Sequence, residues 1–245
     1  MAIEVFNRIE KKYLITEDVY GKFFDKIIPY MEMDAFCKDG KFYSINNIYF
    51  DTENNDLIRT SIDKPAYKEK LRLRSYGVPE FNDIVFLEIK KKYNGIVNKR
   101  RTLLKLNQAY DFLFDGIMPS EGDYLNAQVL KELKFFMEFY NPVAKLFLAY
   151  DRVAMFGKDD ENLRITADRN IRTRRYDLRL EDGDYGDKLL QDGQVLIEIK
   201  TASSFPVWLV DILTELDMKG TSFSKYGTEY RQFMDNTLQK RGAIC

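Results

Sequence analysis

Tyr67-Lys68-Glu69-Lys70-Leu71-Arg72-Leu73-Arg74-Ser75-Tyr76 is the stretch on which the fold turns. Side chains alternate faces along a β-strand, so Lys68, Lys70, Arg72 and Arg74 share one face and Leu71 and Leu73 the other. Working outward, the same division recurs. Glu88 and Lys90 share a face in the run 84–93, and Lys99 and Arg101 do in 96–106. In 162–175 Arg164, Thr166, Asp168, Asn170, Arg172 and Arg174 stand opposite Leu163, Ile165 and Ala167. Glu198 and Lys200 oppose Ile197 and Ile199 in 194–200; Arg8, Glu10 and Lys12 stand together in 6–15, and Arg152 lies in 143–156. For any one strand, a solvated outer face is the ordinary reading. The set points elsewhere, because arginine and lysine dominate and a carboxylate sits beside a cation in three of the strands. Helices between the strands need the apolar faces to pack on, which turns the charged faces inward. The expected fold is α+β: a closed antiparallel β-barrel tunnel of about eight strands, with helices outside and a polar lumen in place of a packed core.

The intervening segments fit that scheme. Helical spacing from Thr16, a suitable N-cap, extends over 16–33. Residues 43–50 are β-rich, and 51–55 open a short helix that ends before Pro65. Asn94-Gly95 marks a hairpin. Residues 107–140 read as two helices broken around 116–122 and stopped by Pro142. A loop covers 182–187, an amphipathic helix 206–218, and a last helix about 225–238. Trp208 and the cluster Phe135, Phe136, Phe139 and Tyr140 read as helix packing. No repeat or linker divides the 245 residues, so one domain, 1–245, is expected.

Composition narrows the chemistry. There is no histidine, which removes His-dependent triads, zincin sites and phosphohistidine intermediates. Two cysteines, Cys37 and Cys245, make no disulfide framework, and a reduced, cytoplasmic setting is expected. The start carries no signal-peptide pattern, and no run approaches a membrane span. The net charge of -1 argues against a nucleic-acid binder. Yet residues 64–105 hold twelve Lys or Arg against four acids, an excess of eight, while the rest of the chain carries minus nine. A basic block in a neutral chain suits a local anion site. Cations facing one another across a lumen repel unless a polyanion fills it, and arginine forks with lysine point charges suit a row of phosphates. Interspersed carboxylates suit a divalent metal bridging those phosphates.

At this point the residues resemble a family. Arg8-Ile9-Glu10-Lys11-Lys12-Tyr13, Ile48-Tyr49-Phe50-Asp51-Thr52, Lys70 to Tyr76, Phe86-Leu87-Glu88-Ile89-Lys90 and Val97-Asn98-Lys99-Arg100-Arg101 follow in order. Tyr150-Asp151-Arg152, Leu163-Arg164-Ile165-Thr166, Leu196-Ile197-Glu198-Ile199-Lys200 and Phe223-Ser224-Lys225-Tyr226 complete the series. Together they resemble the VTC domain of polyphosphate polymerases, within the triphosphate tunnel (CYTH-like) superfamily. The resemblance implies transfer of the γ-phosphoryl of ATP to a growing polyphosphate chain, with Mn or Mg. It implies that Lys12, Arg72, Arg74, Lys90, Lys99, Arg152, Arg164 and Lys200 hold the reacting phosphates and that Arg8, Lys70, Arg101 and Lys225 bind substrate. Glu198, with Glu10, would hold the metal; Glu10 reads equally well as an ion-pair partner. Of Lys90, Lys91 and Lys92, only Lys90 is given a place in the lumen. Hydrolytic relatives carry ExExK in the first strand. Arg8 replaces the first glutamate here, which favours the polymerase.

A tunnel triphosphatase and a non-catalytic polyphosphate-binding module stand as alternatives, with a single-stranded RNA binder behind them. A membrane-protein partner that receives the chain is implied by the family alone, and would bring a cytoplasmic protein to a membrane. The lumen reading also predicts that Lys200→Ala or Arg74→Ala lowers activity while stability holds or rises.

Overall fold

The computed structural model describes residues 9–94, 96–119, 122 and 124–242. Among them are eleven strands: β1 (Ile9–Thr16), β2 (Met31–Met33), β3 (Tyr43–Asp51), β4 (Tyr67–Tyr76), β5 (Ile84–Tyr93), β6 (Ile96–Lys105), β7 (Val143–Gly157), β8 (Arg164–Arg174), β9 (Asp187–Lys188), β10 (Gln194–Thr201) and β11 (Gly220–Thr221). The helices are α1 (Glu17–Ile27), α2 (Asp56–Ile62), α3 (Leu106–Asp115), α4 (Ala127–Tyr140), α5 (Val207–Glu215) and α6 (Lys225–Gly242). No helix among the described residues is long and apolar enough to cross a membrane.

Local chemistry sets the boundaries. The Thr16 side chain accepts from the Val19 amide at 3.4 Å and caps α1, with Glu17 and Asp18 in the first turn. That helix is shorter than expected: Pro29 falls in a 3-10 turn over Ile28–Tyr30, and β2 follows. Asn126 caps α4 through the Val129 amide at 3.1 Å, and Asn141 ends it at a φ of 44° before Pro142. Asp51 is fully buried. Its carboxylate accepts from the Leu57 and Ile58 amides, both at 2.9 Å, and from the Tyr226 hydroxyl at 3.2 Å. One side chain thus fixes the start of α2 and the first turn of α6.

All pairings are antiparallel, in the order β11-β1-β10-β8-β7-β3-β4-β5-β6, with β2 on β7 and β9 on β8. The hairpin at 94–95 is formed, with Tyr93 opposite Ile96; Gly95 itself lies outside the described residues. The order corrects the expected closed barrel, because no ladder joins β6 to β1 or β11 among the described residues. The sheet is strongly curled and open. Side chains reach across where hydrogen-bond ladders do not: Lys12 Nζ of β1 donates to the Phe223 carbonyl at 2.8 Å, and Lys70 Nζ of β4 to Ser224 Oγ at 3.4 Å. Residues 223–224 therefore bridge β1 to β4 across the concave face.

The convex face is covered twice. Leu71, Leu73, Leu87 and Leu104 pack under α3 and α4 with Leu106, Leu113, Leu133 and Phe136. Tyr13, Ile165, Ile197 and Ile199 pack under α1 and α5 with Phe23, Ile27, Leu209 and Ile212. Each fully buried Leu or Ile contributes roughly 1.5–3 kcal/mol, so the helix-covered face secures the curl. The concave face departs from the expected wholly polar lumen. Ile45, Tyr49, Leu146, Leu148, Ile171 and Leu196 form a third core there, stoppered by Ile58 of α2 and by Tyr226 and Tyr230 of α6. Only the remainder of that face is polar.

Trp208 packs partly buried against the second core and stacks on Tyr30 at 4.2 Å. Phe136 is core, but Phe135 and Phe139 are 66% exposed, so only part of that aromatic cluster is helix packing.

Candidate functional site

Strand parity places the charged side chains on the concave face, and two carboxylate-centred groups organise them. The first lies across β4, β5 and β6. Glu88, 2% exposed, takes Arg72 Nε at 2.7 Å, Lys99 Nζ at 2.5 Å and, more distantly, Arg74 Nε at 3.9 Å. Arg74 is also held by Asn47 Oδ1 at 2.9 Å and by the Tyr150 hydroxyl at 3.1 Å, and Arg72 by the Tyr49 hydroxyl at 3.3 Å. Burial alone would raise the Glu88 carboxyl, but Arg72, Arg74 and Lys99 outweigh it and hold it far below the usual carboxylate range.

The second group lies across β1, β10, β8, β7 and α6. Arg152 grips Asp168 through two bonds of 2.6 and 2.7 Å, and Lys225 Nζ reaches Asp168 at 2.5 Å and Glu198 at 3.4 Å. Lys12 lies 3.3 Å from Glu10 and 3.4 Å from Glu198; Lys200 lies 3.2 Å from Glu198 and 3.7 Å from Glu10. Burial pushes the Glu198 carboxyl up, yet Lys225, Lys200 and Lys12 prevail and keep it ionised, well below its ordinary value. Glu10 is likewise lowered, by Lys200 and Lys12 against burial. Glu10 is thus an ion-pair partner in this structure.

Lys70 and Lys90 differ from the rest. They sit directly opposite each other on β4 and β5, and no described carboxylate lies within ion-pair distance of either. Burial, then Lys90, Lys68 and Lys12, pull the Lys70 pKa down to about 7. Lys90 is lowered too, by burial and by Lys200, although Glu10 opposes. Lys90 is exposed to solvent within the concavity. Lys12 of β1 and Lys70 of β4 reach the same stretch, 223–224, so β1 faces β4 across the concavity.

The structure gathers Glu10, Lys12, Lys70, Arg72, Arg74, Lys90, Lys99, Arg152, Glu198, Lys200 and Lys225 on this face. Arg164 is set apart, 3.5 Å from Asp34 and over the Phe156 ring at one mouth. Arg101 is exposed near the same mouth, over the Phe86 ring at 5.2 Å. Arg8 lies outside the described residues. Two expectations need correction. Arg172 and Arg174 leave the face of Arg164, because Asn170 takes a φ of 50° and the β7–β8 register slips there. Ile171 then joins the concave core, Arg172 pairs outside with Asp151 and Asp184, and Arg174 lies over Phe147. Lys92 shares the parity of Lys90 and stands opposite Lys68, whereas Lys91 points outward to Glu69 at 3.6 Å. Sequence reasoning also passed over Asn47, Tyr49 and Tyr150, which hold the arginines. The strand parity of 43–51 and the Tyr150-Asp151-Arg152 run were the available signals.

Glu10 and Glu198 supply the hard oxygen donors that Mg or Mn takes, and such ions commonly use one or two carboxylates with phosphate oxygens completing the shell. No group of three His, Cys, Asp or Glu poised for a metal occurs among the described residues. The donor set fits a metal that arrives with its phosphates, not a preformed protein cage.

Comparison with known proteins agrees with this geometry. The VTC domain profile matches residues 7–234. A search of curated proteins returned no match. Among solved structures, a candidate adenylate cyclase from Bacillus halodurans superposes with a TM-score of 0.55 at 16% identity, covering 89% of this chain and 93% of that one. A candidate adenylate cyclase from Vibrio parahaemolyticus reaches 0.49 at 11% identity, covering 92% and 98%. A candidate adenylyl cyclase from Hippeastrum, described as having a dominant triphosphatase activity, reaches 0.48 at 16% identity, covering 89% and 92%. The profile match over nearly the whole chain establishes that this protein belongs to the VTC domain family, and its fold is shared with the Bacillus halodurans protein.

Proposed function

We propose that this protein is an ATP-dependent polyphosphate polymerase, with the chain lying along the concave face. The observation that carries the proposal is the opposition of Lys70 and Lys90, two cations with no carboxylate in ion-pair range and Lys12 close by. Like charges placed directly opposite destabilise a sheet. A row of phosphates converts that repulsion into attraction, and one phosphate is too small to meet every cation along the face.

Phosphoryl transfer asks a protein for in-line positioning and for stabilisation of charge spread over the phosphoryl oxygens. A terminal oxygen of the chain attacks the γ-phosphorus of ATP. The new P–O bond forms as the bond to the β,γ-bridging oxygen breaks, and ADP leaves with that electron pair. Arg72 and Arg74, fixed by Glu88, Asn47, Tyr49 and Tyr150, present preset guanidinium groups to the phosphates. Arg152 is locked by Asp168, whose carboxylate also holds Lys225, while Lys12, Lys99 and Lys200 exchange carboxylate partners for phosphate oxygens. Glu198, with Glu10, would hold a divalent metal once those lysines turn to substrate; such an ion supplies Lewis-acid neutralisation of phosphate charge. A membrane-protein partner that receives the chain belongs to this proposal through the family resemblance alone.

The test is incubation with ATP and Mn, with products resolved by chain length beside Glu198→Gln. Long chains made by the wild type and absent with the variant support the reading. Orthophosphate without chains points to the triphosphatase, and tight polyphosphate binding without turnover to the binding module.

A further inference from the structure

One mouth of the concavity is aromatic. The face of β4 that carries Lys70, Arg72 and Arg74 ends in Tyr76, two residues or about 7 Å beyond Arg74. The face of β5 that carries Glu88 and Lys90 begins near Phe86, and the concave face of β3 begins at Tyr43. Phe36, from the 3-10 turn Ala35–Gly40, lies over this set: its ring stacks on Tyr76 at 5.3 Å with the planes 6° apart, and meets Tyr43 at 6.0 Å. Tyr76 in turn meets Tyr43 at 5.8 Å and Phe86 edge-on at 5.4 Å, and Arg101 covers Phe86. Despite these contacts Phe36 is 65% exposed and Tyr76 39%. The opposite end of the same face is built differently. There Lys68 stands opposite Lys92, beyond Lys70 and Lys90, and the core residues are capped by α6.

We infer that the Phe36–Tyr76 shelf stacks the nucleobase of the incoming nucleotide, so that the site has a nucleoside end and a phosphate-only end. This rests on the proposed nucleoside-triphosphate donor. An exposed ring plane beside an exposed arginine is the usual platform for a base, because every base has a π-face and a guanidinium stacks on it. The position fits the substrate: the shelf continues the line of Arg74 and Arg72, so a base seated there sends its phosphates inward along those side chains. Stacking alone separates a nucleotide from an inorganic phosphate chain, while discriminating little between one base and another.

Calorimetric titration with a non-hydrolysable ATP analogue and, separately, with inorganic tripolyphosphate tests this at one salt concentration. Phe36→Ala and Phe36→Leu are compared with the wild type; the second keeps apolar bulk without a ring. The expected result is a roughly tenfold weaker affinity for the ATP analogue in both variants, from the loss of one base stack, with tripolyphosphate affinity unchanged. Equal weakening for both ligands, or no change for either, overturns the nucleobase assignment and leaves the polyanion site standing. A wild type that binds neither ligand overturns the polyanion site itself.

Discussion

Glu88 is the most exacting place to perturb the site. Replacing it by glutamine removes the one carboxylate that neutralises Arg72, Lys99 and, in part, Arg74. Breaking a buried pair by removing one partner costs about 3–5 kcal/mol. The lower end applies here, because Lys99 is 40% exposed and glutamine still offers an acceptor to Arg72 Nε. For a chain of this size each kcal/mol moves Tm by about 2–4 °C, so Glu88→Gln should melt about 6–12 °C lower. The same substitution frees three cations for phosphate. Tripolyphosphate should therefore bind more tightly to the variant, and the Tm gap should narrow to less than half at saturating ligand. Differential scanning calorimetry with and without tripolyphosphate measures both quantities. A gap below about 2 °C without ligand, or one that ligand leaves unchanged, would refute the view that Glu88 is the resident counter-charge of a polyanion site.

Other outcomes follow from the same geometry. Lys70 titrates near pH 7 in the fold against about 10.4 when unfolded, so the unfolded chain holds more protons between those values and stability rises with pH across that window. Lys70→Met should therefore raise Tm at pH 7, with a gain that fades by pH 10 in thermal scans. Tripolyphosphate binding at pH 8 should take up protons, because the anion draws Lys70 and Lys99, the latter held near 8, back to their charged forms; calorimetry in buffers of different ionisation enthalpy reads the number. Arg74→Ala should lower Tm, since Asn47 and Tyr150 lose their buried partner, whereas Lys90→Ala should not. Leu133→Ala, in the core between α4 and the sheet, should cost about 2–5 kcal/mol in denaturant unfolding and leave tripolyphosphate affinity unchanged.

Much of this was legible in the chain because strand parity is a local property. Lys70, Arg72 and Arg74 against Leu71 and Leu73 fixed which face meets helices, and those strand limits agree with the sequence reading. What escaped depends on register or on one backbone angle. Asn170 turns to positive φ; Arg169 interrupts the apolar series of Ile165, Ala167 and Ile171, but one charged residue among apolar ones does not announce the slip that sends Arg172 outward. Arg74→Ala was expected to leave stability intact because cations were counted and their partners were not. Asp168 under Arg152 and Asn47 under Arg74 meet only once distant strands are paired. Closure was over-read for a related reason: inward charged faces require a curled sheet, and curling does not require β6 to pair with β1. The apolar half of the concavity was missed because Leu146, Leu148 and Leu196 look the same in sequence whether a strand packs on its outer helices or on α6.

The central claim is that phosphoryl groups from ATP accumulate as a chain on this face. Its most direct test follows the label of ATP carrying a radioactive γ-phosphate, with Mn present, in the wild type and in the Lys70→Ala, Lys90→Ala double variant. The account predicts label in chains longer than three phosphates for the wild type and a loss of those chains in the double variant. Label found only in orthophosphate, or chains made equally well without the two lysines, would contradict it.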